Sequence, residues 1–188
     1  MKKRVLLLSG SPGVGKTTIL LNVIKALRAK GYGIGGMISF EARLNGNRIG
    51  FQVVDLNTDR SGWLAHVEQK KGPQVGKYRV NLTDLDKIGG KAIVNAVENS
   101  DVVAIDEIGP MELFSEKFKE AAEKAVRSTK LVICVVHWKT KNKFIDAVKR
   151  REDAELYIAT GENREDVCRI IVAKAVDFLS RDVLNKAL

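Results

Sequence analysis

A glycine-rich segment near the amino terminus constrains the fold more than any other part of this sequence. Residues 10–17 match the pattern GxxxxGK[ST] in full, between a short apolar run and an amphipathic stretch. The glycines let successive backbone N–H groups point at phosphate oxygens, and the following helix adds the positive end of its dipole. A glycine-rich turn without a ligand is the alternative, but the strand-to-helix context favours a phosphate-binding loop. The residues predicted to bind phosphate are Gly10, Ser11, Pro12, Gly13, Val14, Gly15, Lys16 and Thr17.

Two side chains of this loop carry separate chemistry. Lys16 can reach the β- and γ-phosphates of a triphosphate, and Thr17 can offer its hydroxyl to Mg²⁺. We therefore predict a catalytic role for Lys16 and a metal-binding role for Thr17.

The rest of the chain alternates short apolar runs with amphipathic stretches of helical period. Such alternation is typical of parallel strands joined by right-handed helical crossovers. Residues 33–56 instead predict two strands around Asn45-Gly46, a dipeptide suited to a tight hairpin turn. We therefore expect one α/β domain over residues 1–188, with an antiparallel hairpin attached. The predicted strands are 4–9, 101–106, 130–136 and 155–159, and the predicted helices are 16–30, 83–98, 114–127, 141–151 and 163–180.

An apolar run that ends in two acids supplies the second candidate site. Asp106 comes at the carboxyl end of a predicted buried strand, the edge at which α/β sheets bind ligands. By itself the pattern better fits a helix cap, but beside a phosphate loop it favours an acid that holds Mg²⁺. Glu107 is then the candidate base, which orients and deprotonates a water for attack on the γ-phosphorus. The apolar residues before this acid pair are Val102, Val103, Ala104 and Ile105.

The segment around the two acids resembles the signature of a known family, the thermophile-type nucleoside-triphosphatases, also called cancer-related nucleoside-triphosphatases. The matching ten residues are Ile105-Asp106-Glu107-Ile108-Gly109-Pro110-Met111-Glu112-Leu113-Phe114. Further matches cover most of the chain: Glu41-Ala42-Arg43, Arg48-Ile49-Gly50-Phe51, Val75-Gly76-Lys77-Tyr78, Asn81-Leu82 and Glu162-Asn163-Arg164.

The resemblance implies a P-loop nucleoside-triphosphatase fold of three layers, with a mainly parallel sheet extended by antiparallel hairpin strands. It also implies Mg²⁺-dependent hydrolysis of several nucleoside triphosphates to diphosphate and phosphate. We predict that the nucleotide-binding residues extend through 102–109, including Ile108 and Gly109. Some members carry Lys where this chain has Pro110, so no role for a cation is carried over to that position.

Two arginines in the matching segments are candidates for stabilising the negative charge that builds up during phosphoryl transfer. A guanidinium is well shaped to meet the transferred oxygens. For Arg43, which we predict to be catalytic, the alternative is a salt bridge with Glu41 on an exposed strand. Asn163 and Arg164 are predicted nucleotide-binding residues, but the same segment also reads as a helix start with Asn163 as its cap. The role of Arg164 stays open.

The net charge favours polyanionic partners. Thirty-two Lys and Arg face twenty-three Asp and Glu, which gives +9. Residues 139–151 hold six Lys or Arg against Asp146 alone, and residues 69–79 hold four against none. With Trp138 beside the first stretch, single-stranded nucleic acid is an alternative partner. No RNA-binding motif accompanies these residues, so we favour solvated faces that also attract triphosphate.

The remaining residue types point to a soluble intracellular protein. The apolar run that begins at Val5 ends at Ser9, too short for a signal peptide, and none approaches the ~18 residues of a membrane span. We therefore expect a cytoplasmic protein and favour a monomer. The two cysteines and the two histidines show no metal-ligand spacing, so we expect buried apolar roles for the first pair and packing or loop roles for the second. These four residues are Cys134, Cys168, His66 and His137.

Several absences bear on the substrate. No Asn-Lys-x-Asp reads a guanine base, and no protein-kinase signature is present. Broad base tolerance follows, with the base expected near Thr160-Gly161-Glu162, after the last strand. The favoured function is Mg²⁺-dependent hydrolysis. The alternatives are a nucleotide or small-molecule kinase and an RNA-associated module with slow hydrolysis.

Overall fold

The structure, a computed structural model, describes the backbone of residues 2–186 and the side chains of residues 2–180. Within that part of the chain nine strands form one sheet, in the order β5-β6-β4-β3-β2-β7-β8-β1-β9. The strands are β1 (Val5–Gly10), β2 (Ile34–Leu44), β3 (Asn47–Asp55), β4 (Ser61–His66), β5 (Gln74–Val75), β6 (Tyr78–Val80), β7 (Val102–Ile108), β8 (Leu131–Val136) and β9 (Ala154–Ala159).

The parallel half of the sheet consists of β2, β7, β8, β1 and β9. Its central strands are continuous apolar runs because helices cover both faces, so no residue of these runs can face water. All parallel strands end at one edge of the sheet. The ends of β7 and β1 therefore lie at the same edge, with the end of β8 between them.

The antiparallel half begins at the hairpin that the sequence predicts. Strands β2 and β3 pair in antiparallel register around Asn45 and Gly46, which both have positive φ (49° and 78°). Positive φ at both positions is the geometry of a primed turn, whose twist matches that of the strands. The hairpin prediction is confirmed. Strands β4, β6 and β5 continue the sheet beyond β3.

Helices pack on both faces of the sheet. Helices α1 and α6 bury one face, and α3, α4 and α5 bury the other. Helix α1 starts where the phosphate-binding loop ends, so the loop lies between a buried strand and a buried helix. The helices are α1 (Lys16–Arg28), α2 (Leu82–Asp84), α3 (Lys91–Asn99), α4 (Glu116–Arg127), α5 (Lys143–Lys149) and α6 (Arg164–Lys186).

Several predicted bounds differ from the structure. The helix expected over 83–98 contains a wide π-helical turn, Leu85–Gly90, which joins α2 to α3. The helix expected from residue 114 begins at Glu116, because the Ser115 side chain accepts from the Phe118 amide and caps it there. Cys134 is buried as predicted, whereas Cys168 is only partly buried. Among the described residues no helix combines the length and apolar character needed to cross a membrane.

Candidate active site

The predicted phosphate-binding loop has the backbone that a phosphate cradle requires. Gly13 and Gly15 have φ values of 78° and 92°, in the region that favours glycine. A Cβ on Gly10 would lie 2.5 Å from the Ala159 carbonyl oxygen, so a larger residue there would separate β1 from β9. Backbone conformation and close packing therefore both restrict these positions of the loop to glycine.

Lys16 lies across the mouth of this loop. Its Nζ donates to the carbonyl oxygens of Gly10 and Ser11, at 3.0 and 3.1 Å. These bonds hold the ammonium group over the loop, where the phosphate groups of a bound triphosphate would lie. Thr17 follows on the first turn of α1 and lines the same cleft.

Asp106 reaches the cleft from the end of β7 and is 2% exposed. Burial raises the pKa of its carboxyl group to about 7, while the Thr17 hydroxyl and the charge of Lys16 act in the opposite direction. Its Oδ2 atom is buried and has no hydrogen-bond partner among the described residues. A buried carboxylate oxygen without a partner is costly unless a ligand completes it.

Glu107 is adjacent and partly exposed to the cleft. Burial raises the pKa of its carboxyl group, and the charge of Lys16 lowers it. A Cβ on Gly109 would lie 2.5 Å from Glu107 Oε1, so the glycine leaves room for this carboxylate. A partly buried glutamate with a raised pKa is a stronger base than an exposed one.

A third acid, Glu112, is almost fully buried and lines the same cleft. Burial, together with the nearby charge of Glu107, raises its pKa to about 8. Its Oε2 accepts from the Gly109 amide at 3.1 Å and so closes the turn that follows β7. The sequence offers no local pattern for this role beyond membership of the ten-residue signature segment.

One cleft of about 600 Å³ brings the predicted catalytic and metal-binding residues together. It is lined by Lys16, Thr17, Asp106 and Glu107, together with Ser39 and Glu41 of the neighbouring strand β2. The phosphate loop follows β1 and the two acids lie on β7, and β8 separates these two strands in the sheet. Their convergence is therefore a property of the fold, which the spacing along the sequence only suggests.

The residues present fit a magnesium ion. The Thr17 hydroxyl lies close enough to Asp106 to lower the pKa of its carboxyl group, and the unpartnered Asp106 Oδ2 adds a free oxygen. Mg²⁺ in nucleotide sites is bound by one or two such oxygens together with substrate phosphates and water. In residues 2–180 no group of three or more His, Cys, Asp or Glu side chains forms a complete metal cage.

The arginine that lines the cleft is Arg48, which the sequence analysis did not single out. Arg43 instead donates to Glu41 Oε2 at 2.8 Å and to the Gly46 carbonyl at 3.0 Å. The first of these contacts is the salt bridge that the sequence offers as the alternative to a catalytic role. Arg48 pairs with the other oxygen of Glu41 at 2.5 Å, and its Nε is buried without a partner among the described residues. The structure therefore places Arg48, and not Arg43, on the cleft.

Part of the predicted nucleotide-binding segment lies in the core instead of at the cleft. Five of its residues are 0% exposed and cannot contact a ligand, because both faces of β7 are covered by helices. They position Asp106 and Glu107. The five buried residues are Val102, Val103, Ala104, Ile105 and Ile108.

Asn163 and Arg164 lie on the other side of the phosphate loop. The Asn163 side chain accepts from the Thr160 amide at 2.7 Å and donates to the Ile158 carbonyl at 3.0 Å. It therefore binds the loop before α6. The helix begins directly after Asn163, as predicted, but both side-chain bonds of this residue go to the loop and none caps the first turn. Arg164 lies against Gly15, and both line a second hollow of about 440 Å³ that also includes Gly161. The expected base-binding segment faces this hollow.

His137 lies in the loop after β8, as expected, and its side chain also lines the cleft. Like Asp106, it follows a continuous apolar strand, and this shared position was the signal that could have identified it. His66, by contrast, lies outside the lining of the cleft, packs 4.4 Å from the Trp63 ring and accepts from the Glu68 amide, as expected of a packing residue.

Comparison with known proteins agrees with this geometry. A family model described as NTPase matches residues 5–172. "Nucleoside-triphosphatase THEP1" of Thermofilum pendens is 42% identical over 88% of this chain and 91% of that protein. The protein of the same name from Methanocaldococcus jannaschii is 39% identical over 89% of this chain and 94% of its own length.

Two solved structures share the fold. THEP1 of Aquifex aeolicus superposes with a TM-score of 0.78 at 26% identity, over 90% of this chain and 97% of that one. A human cancer-related nucleoside triphosphatase gives 0.76 at 30% identity, over 90% and 96%. These likenesses confirm the expected α/β P-loop fold, with a mainly parallel sheet and added antiparallel strands. The chain belongs to the THEP1 family of nucleoside-triphosphatases.

Proposed function

We propose that this protein hydrolyses nucleoside triphosphates to nucleoside diphosphate and phosphate in a Mg²⁺-dependent reaction, with little discrimination among bases. The observation that carries the proposal is the convergence of Lys16 and Thr17 with Asp106 and Glu107 in one cleft. The names of these two relatives describe the same class of reaction.

Each residue has a separate task in this reaction. The N–H groups of the loop and Lys16 hold the phosphates, and Thr17 and Asp106 would hold Mg²⁺, which spreads the negative charge of the β- and γ-phosphates. Glu107 orients a water and takes its proton. As the water oxygen bonds to the γ-phosphorus, the bond from that phosphorus to the bridging oxygen breaks. An arginine of the β2–β3 hairpin meets the charge on the transferred oxygens.

Base tolerance is part of the same proposal. The hollow beside Gly161 and Arg164 adjoins the phosphate loop at Gly15, and the sequence contains no Asn-Lys-x-Asp motif to read guanine. We expect the base to lie there without a dedicated reader. A single domain over residues 1–188, a cytoplasmic location and a monomeric state stay predictions.

A phosphate-release panel tests the proposal. The protein is incubated with ATP, GTP, CTP and UTP, with and without Mg²⁺, and then with candidate phosphoryl acceptors or with RNA. We expect Mg²⁺-dependent release from all four without an acceptor. Release that requires an acceptor would favour a kinase, and large stimulation by RNA would favour an RNA-associated module. Either result would contradict the proposal.

A further inference from the structure

The position of His137 in the sheet is the first of three observations about this residue. It follows β8, whose end lies between the phosphate loop on β1 and the two acids on β7. The His137 amide donates to the Ile108 carbonyl at 3.1 Å, so the backbone here is tied to β7 just beyond Glu107. The fold therefore presents this side chain between the group that holds phosphate and the candidate base.

The hydrogen bonds of the imidazole ring give the second observation. His137 Nδ1 accepts from the Thr140 backbone amide at 3.1 Å, and the Thr140 hydroxyl lies 2.7 Å from the same nitrogen. An amide N–H can only donate, so Nδ1 carries a lone pair. A neutral imidazole in that state holds its single proton on Nε2.

The third observation is that this proton has no acceptor. His137 lines the cleft with Lys16 and Glu107, and no hydrogen bond of Nε2 exists among the residues that the structure describes. The ring also lies near the Glu107 carboxyl group, which lines the same cleft. An oriented donor without a partner thus faces the space where the terminal phosphate would lie.

We propose that His137 is a further catalytic residue, whose neutral imidazole donates a hydrogen bond from Nε2 to an oxygen of the γ-phosphate. This proposal rests on the proposed function. The donor distinguishes triphosphate from diphosphate in binding, because only the triphosphate offers the acceptor. The hydrogen bond from this donor also strengthens as negative charge builds up on the transferred oxygens. A single preorganised donor of this kind contributes about 10²–10³-fold to the rate.

Two substitutions separate the two ring nitrogens. A glutamine amide can place an N–H near the position of Nε2, whereas an asparagine amide extends only to the position of Nδ1. We therefore expect His137→Asn to slow single-turnover hydrolysis by about 100-fold or more, and His137→Gln to retain a rate within about tenfold of the parent. His66→Asn is the matched control, since His66 has the same Nδ1 acceptor pattern but does not line the cleft.

Binding measurements make the test independent of turnover. We expect His137→Asn to lower the ratio of affinities for a non-hydrolysable triphosphate analogue and the diphosphate, and His137→Gln and His66→Asn to preserve it. An unchanged ratio in His137→Asn would overturn the inference, as would equal losses of rate in the two His137 variants together with lowered thermal stability, which would indicate a structural role. If the parent releases no phosphate from any nucleotide, the proposed function fails, yet the binding ratios still decide the role of His137.

Discussion

Two arginines on the β2–β3 hairpin share one carboxylate, but they lie differently with respect to the cleft. They occupy paired positions of the hairpin register, and Glu41 binds Arg43 with one oxygen and Arg48 with the other. Only Arg48 lines the cleft. Arg43 would have to leave both Glu41 and the Gly46 carbonyl before it could reach a phosphate.

We therefore expect Arg48→Ala to lower kcat by roughly 100-fold with a smaller change in KM, since the charge that it meets develops mainly in the transition state. Arg43→Ala is the matched variant and should stay within about threefold of the parent, as is common for an exposed salt bridge. Steady-state kinetics of both variants check this. The reverse order of effects would restore Arg43 as the catalytic arginine.

At the scale of elements, the path of β2 past β7 depends on one glycine. Gly36 has a φ of 114°, and a Cβ there would lie 1.9 Å from the Ala104 carbonyl oxygen. This strand continues directly into Ser39 and Glu41, which form a wall of the cleft. Its close approach to β7 therefore fixes the width of the site.

We expect Gly36→Ala to lower the free energy of unfolding by at least about 2 kcal/mol, because backbone would have to separate from backbone. Gly31→Ala is the control: its φ is 88° but the space around it is open, so only the conformational cost of about 1 kcal/mol remains. Denaturant unfolding of both variants provides the comparison. Equal losses of the free energy of unfolding in the two variants would show that the close approach of β2 to β7 does not exclude a side chain at Gly36.

The features that could be predicted from the sequence are those whose signals are local. The phosphate loop, the run before Asp106 and the Asn45-Gly46 turn are local patterns, and all three lie where predicted. Arg48 carries no local pattern of its own, and His137 has only its position after an apolar strand. They reach the cleft because β3 and β8 take particular places in the sheet, and long-range strand pairing sets those places.

The π-helical turn at Leu85–Gly90 was missed for a different reason. The adjacent glycines Gly89 and Gly90 were only a sign that the predicted helix was weak. Tertiary packing decides the outcome, since a Cβ on Gly89 would lie only 3.3 Å from the Val53 side chain on β3, and a larger residue would push the turn away from that strand.

At the scale of the whole molecule, the acids that line the cleft make stability depend on pH. Glu112 has a pKa of about 8 in the folded protein, raised chiefly by burial from an ordinary value of 4.5. The folded protein thus keeps a proton that the unfolded chain releases between these two values. The contribution of this group to the free energy of unfolding is largest below pH 4.5 and is lost as the pH rises towards about 8. The raised pKa values of Asp106 and Glu107 act with the same sign.

We expect Glu112→Gln to flatten this decline, because glutamine cannot ionise but still offers an oxygen to the Gly109 amide. Unfolding without nucleotide, measured from about pH 5 to about pH 9, gives the slope. Glu116→Gln, at an exposed position, should leave the slope as in the parent. A parent-like slope in Glu112→Gln would mean that this carboxyl group is ionised in the folded protein.

The fold brings a phosphate loop and a candidate general base together, and Glu107→Gln tests the role of that base most directly. Glutamine keeps the size and can accept a hydrogen bond from water, but it cannot take a proton at neutral pH. The measurement is single-turnover hydrolysis of ATP alongside nucleotide affinity, with Asp106→Asn compared for its Mg²⁺ dependence. We expect Glu107→Gln to slow hydrolysis by about 10²–10⁴-fold with affinity kept or raised. Hydrolysis within about threefold of the parent, well inside that range, would contradict the account.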